Sequence, residues 1–239
     1  MQKTKPELKI DWATHEAAKY ACENWHYSKC MPAGKTVKIG VWEFNKFIGV
    51  VIYSYGANNN AAKSFGVSQY ECCELTRVAL TNHYTPVSRV LSISIKMLKK
   101  VCPKLKVLFS YSDLSDQGHH GGIYQANGWT YLGERKTSNK GAYYLINGKQ
   151  MHGRSARAKY GNEKNFPKGW SHVASKTKHL YVKILDNDYT LKFKQYCYPK
   201  RASSVESGTS EFHSEGGGES PTDALQFDDF KTNKKMNGI

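Results

Sequence analysis

The run KVLFSYSDLSDQGHHGGIYQANGWTYL, from Lys106 to Leu132, gathers the side chains of this sequence best suited to proton transfer or ligand binding. Asp113, His119 and His120 are of types that move protons near neutral pH or ligate a metal. Gly118, Gly121 and Gly122 let a backbone come close to a ligand. The run opens as a buried strand, breaks into this loop, re-enters a short helix through Tyr124 and stops at Gly128. Loops at the carboxyl ends of strands in an α/β sheet are where ligands usually sit. A glycine-rich turn with two solvated histidines is the plain alternative.

Other elements must hold that run in place. A first helix is expected over Asp11 to Glu23, with Asp11 or Thr14 as N-cap. Thr36 to Glu43 and Phe47 to Tyr55 read as a hairpin, and Tyr70 to Leu80 as a third strand. Thr85 is expected to cap a helix with Pro86 at its first position, running to about Val101 with an apolar stripe through Val87, Val90, Leu91, Ser94, Ile95 and Leu98. Strand, helix and the strand Leu105 to Tyr111 then make a right-handed parallel crossover. The short helix from about His120 to Asn127, the strands Trp129 to Gly133 and Ala142 to Ile146, and the turn Asn147-Gly148 complete the pattern. The fold class is α/β, a mixed central sheet with flanking helices. Residues 1–147 form the expected catalytic core, 148–202 a basic C-terminal subdomain, and 203–239 a tail too poor in apolar residues to fold.

Charge narrows the partner. The chain of 239 residues carries 35 basic and 20 acidic side chains. Seven of the acids and three lysines lie beyond residue 202, so the body holds 32 basic against 13 acidic groups, a net of +19. Such a body attracts polyanions, nucleic acid being the commonest, though anionic cofactors and membrane surfaces answer to the same charge. No run approaches the ~18 apolar residues of a membrane helix. The start, MQKTKPELKIDW, lacks the apolar core of a secretory signal, so a soluble protein made in the cytosol is expected. The spacing of the six cysteines argues against a zinc ribbon or a disulfide scaffold.

The order of elements resembles the GNAT acyltransferase fold, in which an acyl-coenzyme A lies between two splayed central strands, here Tyr70 to Leu80 and Leu105 to Tyr111. The loop before the helix reads NHYTPVSRV, without the glycines of that superfamily's R/Q-x-x-G-x-G/A. A more specific likeness is carried by WHY at Trp25 to Tyr27, PAGKTVKIGVWE at Pro32 to Glu43, GANNN at Gly56 to Asn60, ELTRVAL at Glu74 to Leu80, TPVSR at Thr85 to Arg89 and GHHGGIYQANGW at Gly118 to Trp129. Together these resemble the Mom family of bacteriophage DNA-modification proteins, over roughly residues 24 to 133 and on through the basic segment to about residue 185. The resemblance implies a GNAT-like enzyme that converts adenine in DNA to N6-carbamoylmethyladenine and protects phage DNA from host restriction. It also implies iron, with His26, Tyr27 and Tyr124 as metal ligands, and Arg77, Ser88 and Asp113 as further site residues.

Each residue has a plainer alternative. His26 and Tyr27 are either ligands or part of a surface aromatic loop. Arg77 is either a clamp on a phosphate or carboxylate, which its guanidinium fork suits, or half of a salt bridge with Glu74 or Glu71. Ser88, with Arg89 beside it, either holds an anion of acetyl-CoA or another small donor, or only caps its helix. Asp113 either accepts a proton from the adenine amino group or caps a turn. Tyr124 is either near the reacting centre or packed beside Trp129. Trp25 or Trp129 is suited to receive a flipped base, Asn59 and its neighbours to a base edge, and His119 and His120 complete the pocket candidates. Arg154, Arg157, Lys159, Lys168, Lys176 and Lys178 are expected on phosphates of double-stranded DNA or on an ordinary solvated face. The acidic tail either competes with DNA or only solubilises, and association into a homodimer stays open. An acyl-CoA-dependent N-acetyltransferase and a non-catalytic basic DNA-binding protein are the alternative functions.

Overall fold

The structure is a computed structural model describing residues 6–56, 60–113, 120–136, 143–173 and 177–199. The expected tail at 203–239 lies outside these, as do Asn59, His119 and Lys176 and the side chain of Arg154. The elements in order are β1 (Leu8–Trp12), α1 (His15–Trp25), β2 (Thr36–Glu43), β3 (Lys46–Ser54), α2 (Ala61–Ser64), β4 (Cys72–Leu80), α3 (Val87–Val101), β5 (Val107–Asp113), α4 (Gly122–Gln125), β6 (Thr130–Lys136), β7 (Tyr143–Ile146), β8 (Lys149–His152), α5 (Gly153–Tyr160), β9 (Ser171–Val173) and β10 (Thr177–Ile184). A seven-stranded sheet runs β1-β2-β3-β4-β5-β10-β6, and a three-stranded sheet runs β8-β7-β9. The long sheet is mixed: β1, β2 and β3 pair antiparallel, β4 and β5 pair parallel, and β10 pairs antiparallel with both β5 and β6. This is the α/β mixed central sheet with helices expected from the sequence. The chain divides into two compact units.

The first unit comprises the described residues of Met1–Asn58 and Leu75–Pro103. Asp11, read from the sequence as a helix residue, belongs instead to β1, where it pairs with Gly40 of β2. The helix begins later, and Thr14 caps it by accepting the Ala17 N–H at 3.2 Å. Local propensity marked the cap but not the edge strand before it, whose partner lies some thirty residues on. The small face Ala17, Ala18, Ala21 and Cys22 lets α1 pack closely on Phe47, Val50 and Ile52 of β3. Gly49 of β3 has φ +141°, and a Cβ there would stand 2.0 Å from the Ala79 carbonyl oxygen, so the backbones of β3 and β4 meet where only glycine fits. Phe44 and Asn45 close the β2-β3 hairpin with positive φ. Of the expected α3 stripe, Val90, Leu91, Ser94, Ile95 and Leu98 are buried while Val87 is only partly so, and the Ser94 hydroxyl meets the Tyr53 hydroxyl at 2.7 Å. Its start is shifted by one residue, with Pro86 at the cap. Thr85 is taken up elsewhere, donating its N–H to Glu43 Oε1 at 2.6 Å.

The second unit comprises the described residues of Asn59–Glu74 and Lys104–Tyr198. Cys72, Cys73 and Glu74 of β4 pair with Val107, Leu108 and Phe109 of β5. Strand β10, which the sequence reading placed with the basic subdomain, lies between β5 and β6. One face of these strands is apolar, with Val107, Phe109, Leu132, Leu180 and Val182 packed on Phe65. The β7-β8 turn at Asn147-Gly148 has φ of 51° and 72°, the left-handed pair that a two-residue hairpin needs. Tyr144, Ile146, Ala156 and Phe166 form the small core beneath the three-stranded sheet.

Candidate functional site

In the first unit, α1 ends at Trp25, whose ring lies edge-on to Tyr20 at 5.3 Å and 5.8 Å from Phe47. Next comes His26, buried, with its ring 4.3 Å from the half-exposed Tyr27. His26 Nδ1 accepts the Ser28 N–H at 3.1 Å and lies 2.8 Å from the Ser28 hydroxyl. Arg77 sits in β4, partly buried, and donates through Nη1 to the Thr76 carbonyl at 2.8 Å. Its Nε is buried without a hydrogen-bond partner among the described residues, and no ion pair engages it there. The Glu71 carboxylate, one partner considered for it, belongs to the second unit and pairs with Lys106 at 2.7 Å. Arg77 also acts on Cys22, whose thiol burial pushes up to about 11 against the opposing pull of the guanidinium. Ser88 and the exposed Arg89 occupy the first turn of α3, which carries no acidic residue.

In the second unit, Asp113 ends β5 opposite Lys178 of β10. Lys178 rests near the Tyr143 ring, 6.0 Å from its centroid. Tyr124 is buried on α4 with its hydroxyl 2.8 Å from that of Ser110. Its ring packs 5.2 Å from Trp129 and stacks on Tyr181 at 5.0 Å. Tyr181 in turn donates to the His120 carbonyl at 2.6 Å, an oxygen that also accepts from Gln125 at 3.0 Å. Gly121 makes this possible: its φ is +76°, and a Cβ there would stand 2.4 Å from the Tyr181 ring.

The stack continues to residues that the motifs did not point to. Tyr131 lies 5.2 Å from Tyr181, and its hydroxyl is hydrogen-bonded to Nδ1 of His179. His179 is buried and, through burial, held below the ordinary histidine range, so the imidazole is neutral at pH 7. Burial likewise pushes the Tyr131 and Tyr181 phenols up. Ser110 and Ser112 of β5 face Tyr181 and His179 of β10 in register. The signal was the alternation FSYSD, which sets two serines on one face of a buried strand.

A family model for the Mom protein family matches residues 7–200. The chain belongs to the Mom protein family. No curated protein matches it. Among solved structures, a Bacillus subtilis acetyltransferase in complex with CoA is 10% identical, with 76% of this chain and 99% of that one covered and a TM-score of 0.40. A GNAT family acetyltransferase from Elizabethkingia anophelis with acetyl-CoA bound is 14% identical over 76% and 100% of the two chains, TM-score 0.42. An aminoglycoside 6'-N-acetyltransferase from Enterococcus faecium is 8% identical over 74% and 96%, TM-score 0.43. At these values the likenesses bear on neither substrate nor donor.

Nothing in the described residues supports the iron that the resemblance implies for this Mom-family chain. The Tyr124 hydroxyl is engaged by Ser110. No group of three or more His, Cys, Asp and Glu among the described residues could hold a metal ion.

Of the cations expected on DNA, Lys159 and Lys168 are exposed. Arg157 is tied into the small sheet, donating to the Tyr144 hydroxyl at 3.0 Å with Glu163 at 3.8 Å. A cleft of about 430 Å³, lined by Lys63, Phe65, Lys106, Asp186, Tyr189 and Lys192 among others, involves none of the expected site residues.

Proposed function

We propose that this Mom-family protein is a GNAT-like transferase that converts adenine in double-stranded DNA to N6-carbamoylmethyladenine, protecting phage DNA from restriction in the bacterial cytosol. The observation that carries this reading is the family match over residues 7–200. The adenine amine is paired and stacked in a duplex, so the base is flipped out before reaction. Asp113 takes the proton that the amine loses as the new N–C bond forms and the transferred carbon's bond to the donor's leaving group breaks, that group departing with the bonding electron pair. Arg77, with a buried Nε that lacks a protein partner among the described residues, anchors an anionic group of the donor, as do Ser88 and Arg89 at the first turn of α3. The donor is a small molecule that carries the transferred CH2 carbon on a leaving group together with such an anionic group; direct transfer from an acyl-CoA would give an N6-acyl adenine instead. Lys159, Lys168 and Lys178 neutralise phosphates without reading sequence.

The test is to express the protein in bacteria, digest the host DNA to nucleosides and weigh them. A deoxyadenosine heavier by one carbamoylmethyl group, lost with Asp113→Ala or Tyr124→Phe, is the expected result. Unmodified DNA from cells holding folded protein would overturn the reading. A coenzyme A titration would then separate N-acetyltransfer from plain DNA binding.

A further inference from the structure

The β5-β10-β6 face opposite the apolar core is buried yet polar, and almost every group on it has a partner. Ser110 meets Tyr124, Tyr181 meets His120 and Gln125, and Tyr131 meets Nδ1 of His179. Two atoms break that pattern. Ser112 Oγ and His179 Nε2 are both buried and have no hydrogen-bond partner among the described residues. Ser112 is 5% exposed and His179 3%. They are not scattered, because Ser112 and His179 are direct partners across the antiparallel β5-β10 ladder, where facing Cβ atoms stand about 5 Å apart on one side of the sheet. The pairing of β10 with β6 also shifts register between His179 and Tyr181, an irregularity of the kind that re-aims side chains beside sites.

A buried polar atom without a partner is costly, and native proteins hold few of them. Two in register on one buried polar face point to a partner from outside the chain. We infer that Ser112 Oγ and His179 Nε2 together bind one uncharged group that offers a hydrogen-bond donor and an acceptor side by side. With Nδ1 engaged by Tyr131, the neutral imidazole supplies one donor or one acceptor at Nε2, and the serine hydroxyl supplies the complement. A carboxylate is the wrong ligand, since it would be buried facing a neutral ring whose register partner on β6 is Glu134. A primary amide has the right edge, and so has the N1/N6 edge of adenine. The adenine source rests on the DNA-modifying reading above, and the amide source does not.

The side-chain NMR resonances of His179, assigned by their loss in His179→Gln, are followed in the full chain without DNA while acetamide, deoxyadenosine or acetate is added. Saturable movement with acetamide or deoxyadenosine but not acetate is expected, and the responding probe identifies the source. Ser112→Ala weakens that probe about three- to tenfold. It also leaves the melting temperature of the unliganded protein unchanged or raises it, because an unpaired buried hydroxyl is removed, whereas a serine serving only the fold would lower it. No response to either acetamide or deoxyadenosine, an equal response to acetate, or a Ser112→Ala variant that binds as well as the parent would overturn the proposal. Since no DNA is involved, such a failure is separate from a failure to modify adenine in cells.

Discussion

Gly121 meets two demands that no other residue satisfies together, a left-handed backbone and the Tyr181 ring against its missing side chain. Gly121→Ala is therefore expected to cost about 2–4 kcal/mol in denaturant unfolding, the sum of an αL penalty and an overpacked contact. Glu71 supplies a sharper test. The Lys106 ammonium, with help from Ser68, holds its carboxyl down at about 2. Because the folded value is depressed, the stabilisation is present above the ordinary carboxylate range and is lost as pH falls towards 2. An NMR titration should place Glu71 near that value, and Lys106→Met should return it towards the ordinary range. The cysteines sort by burial: Cys30 and Cys197 are exposed, whereas burial pushes the thiols of Cys22 and Cys72 to about 11 and about 12. A thiol reagent at pH 8 should label the first two quickly and the second two only on unfolding.

The element most dependent on one side chain is the turn into α3. Glu43, at the end of β2 and buried, accepts the N–H of Tyr84 at 2.9 Å and of Thr85 at 2.6 Å. Burial alone would raise its pKa, but the bonds from Thr85 and Tyr84 outweigh it and hold the carboxyl below the ordinary range. Glu43→Ala leaves two backbone donors without their acceptor and is expected to cost about 2–4 kcal/mol, read from chemical denaturation. Thr14→Ala removes only the cap of α1, and about 1 kcal/mol is the expected loss. The sequence offered Thr14 as a cap because its type and place suffice. It showed nothing of the tie from Glu43, since residues forty positions apart meet only once the sheet has formed.

The charge of the whole chain, formally +15, makes its proposed hold on DNA a matter of ionic strength. Lys168→Glu, at an exposed position, should weaken binding to unrelated duplexes alike and lower the slope of log affinity against log salt by about 1–2. Arg157→Ala should instead loosen the β8-β7-β9 sheet, because this arginine is held by Tyr144 and lies beside Glu163. A fluorescence anisotropy titration across salt concentrations separates the two. Equal salt slopes for the Lys168→Glu variant and the parent would remove Lys168 from the DNA-facing surface.

What the sequence determined by itself was local: the order of α1, β2, β3, β4, α3, β5, α4, β6 and β7, the buried positions of the α3 stripe, the Asn147-Gly148 turn and the motifs of the Mom family. Each of these is written in neighbouring residues, through helical or alternating periodicity, capping chemistry and turn preferences. Tertiary structure alone decided that β10 passes between β5 and β6, some seventy residues from the strand it pairs with. That insertion sets His179 opposite Ser112 and turns the serines of FSYSD from an unremarked alternation into a buried polar face. The folded first unit also leaves Arg77 Nε without a hydrogen-bond partner among the described residues, which a composition cannot show. Periodicity tells which residues share a face, whereas the neighbour across that face depends on long-range pairing.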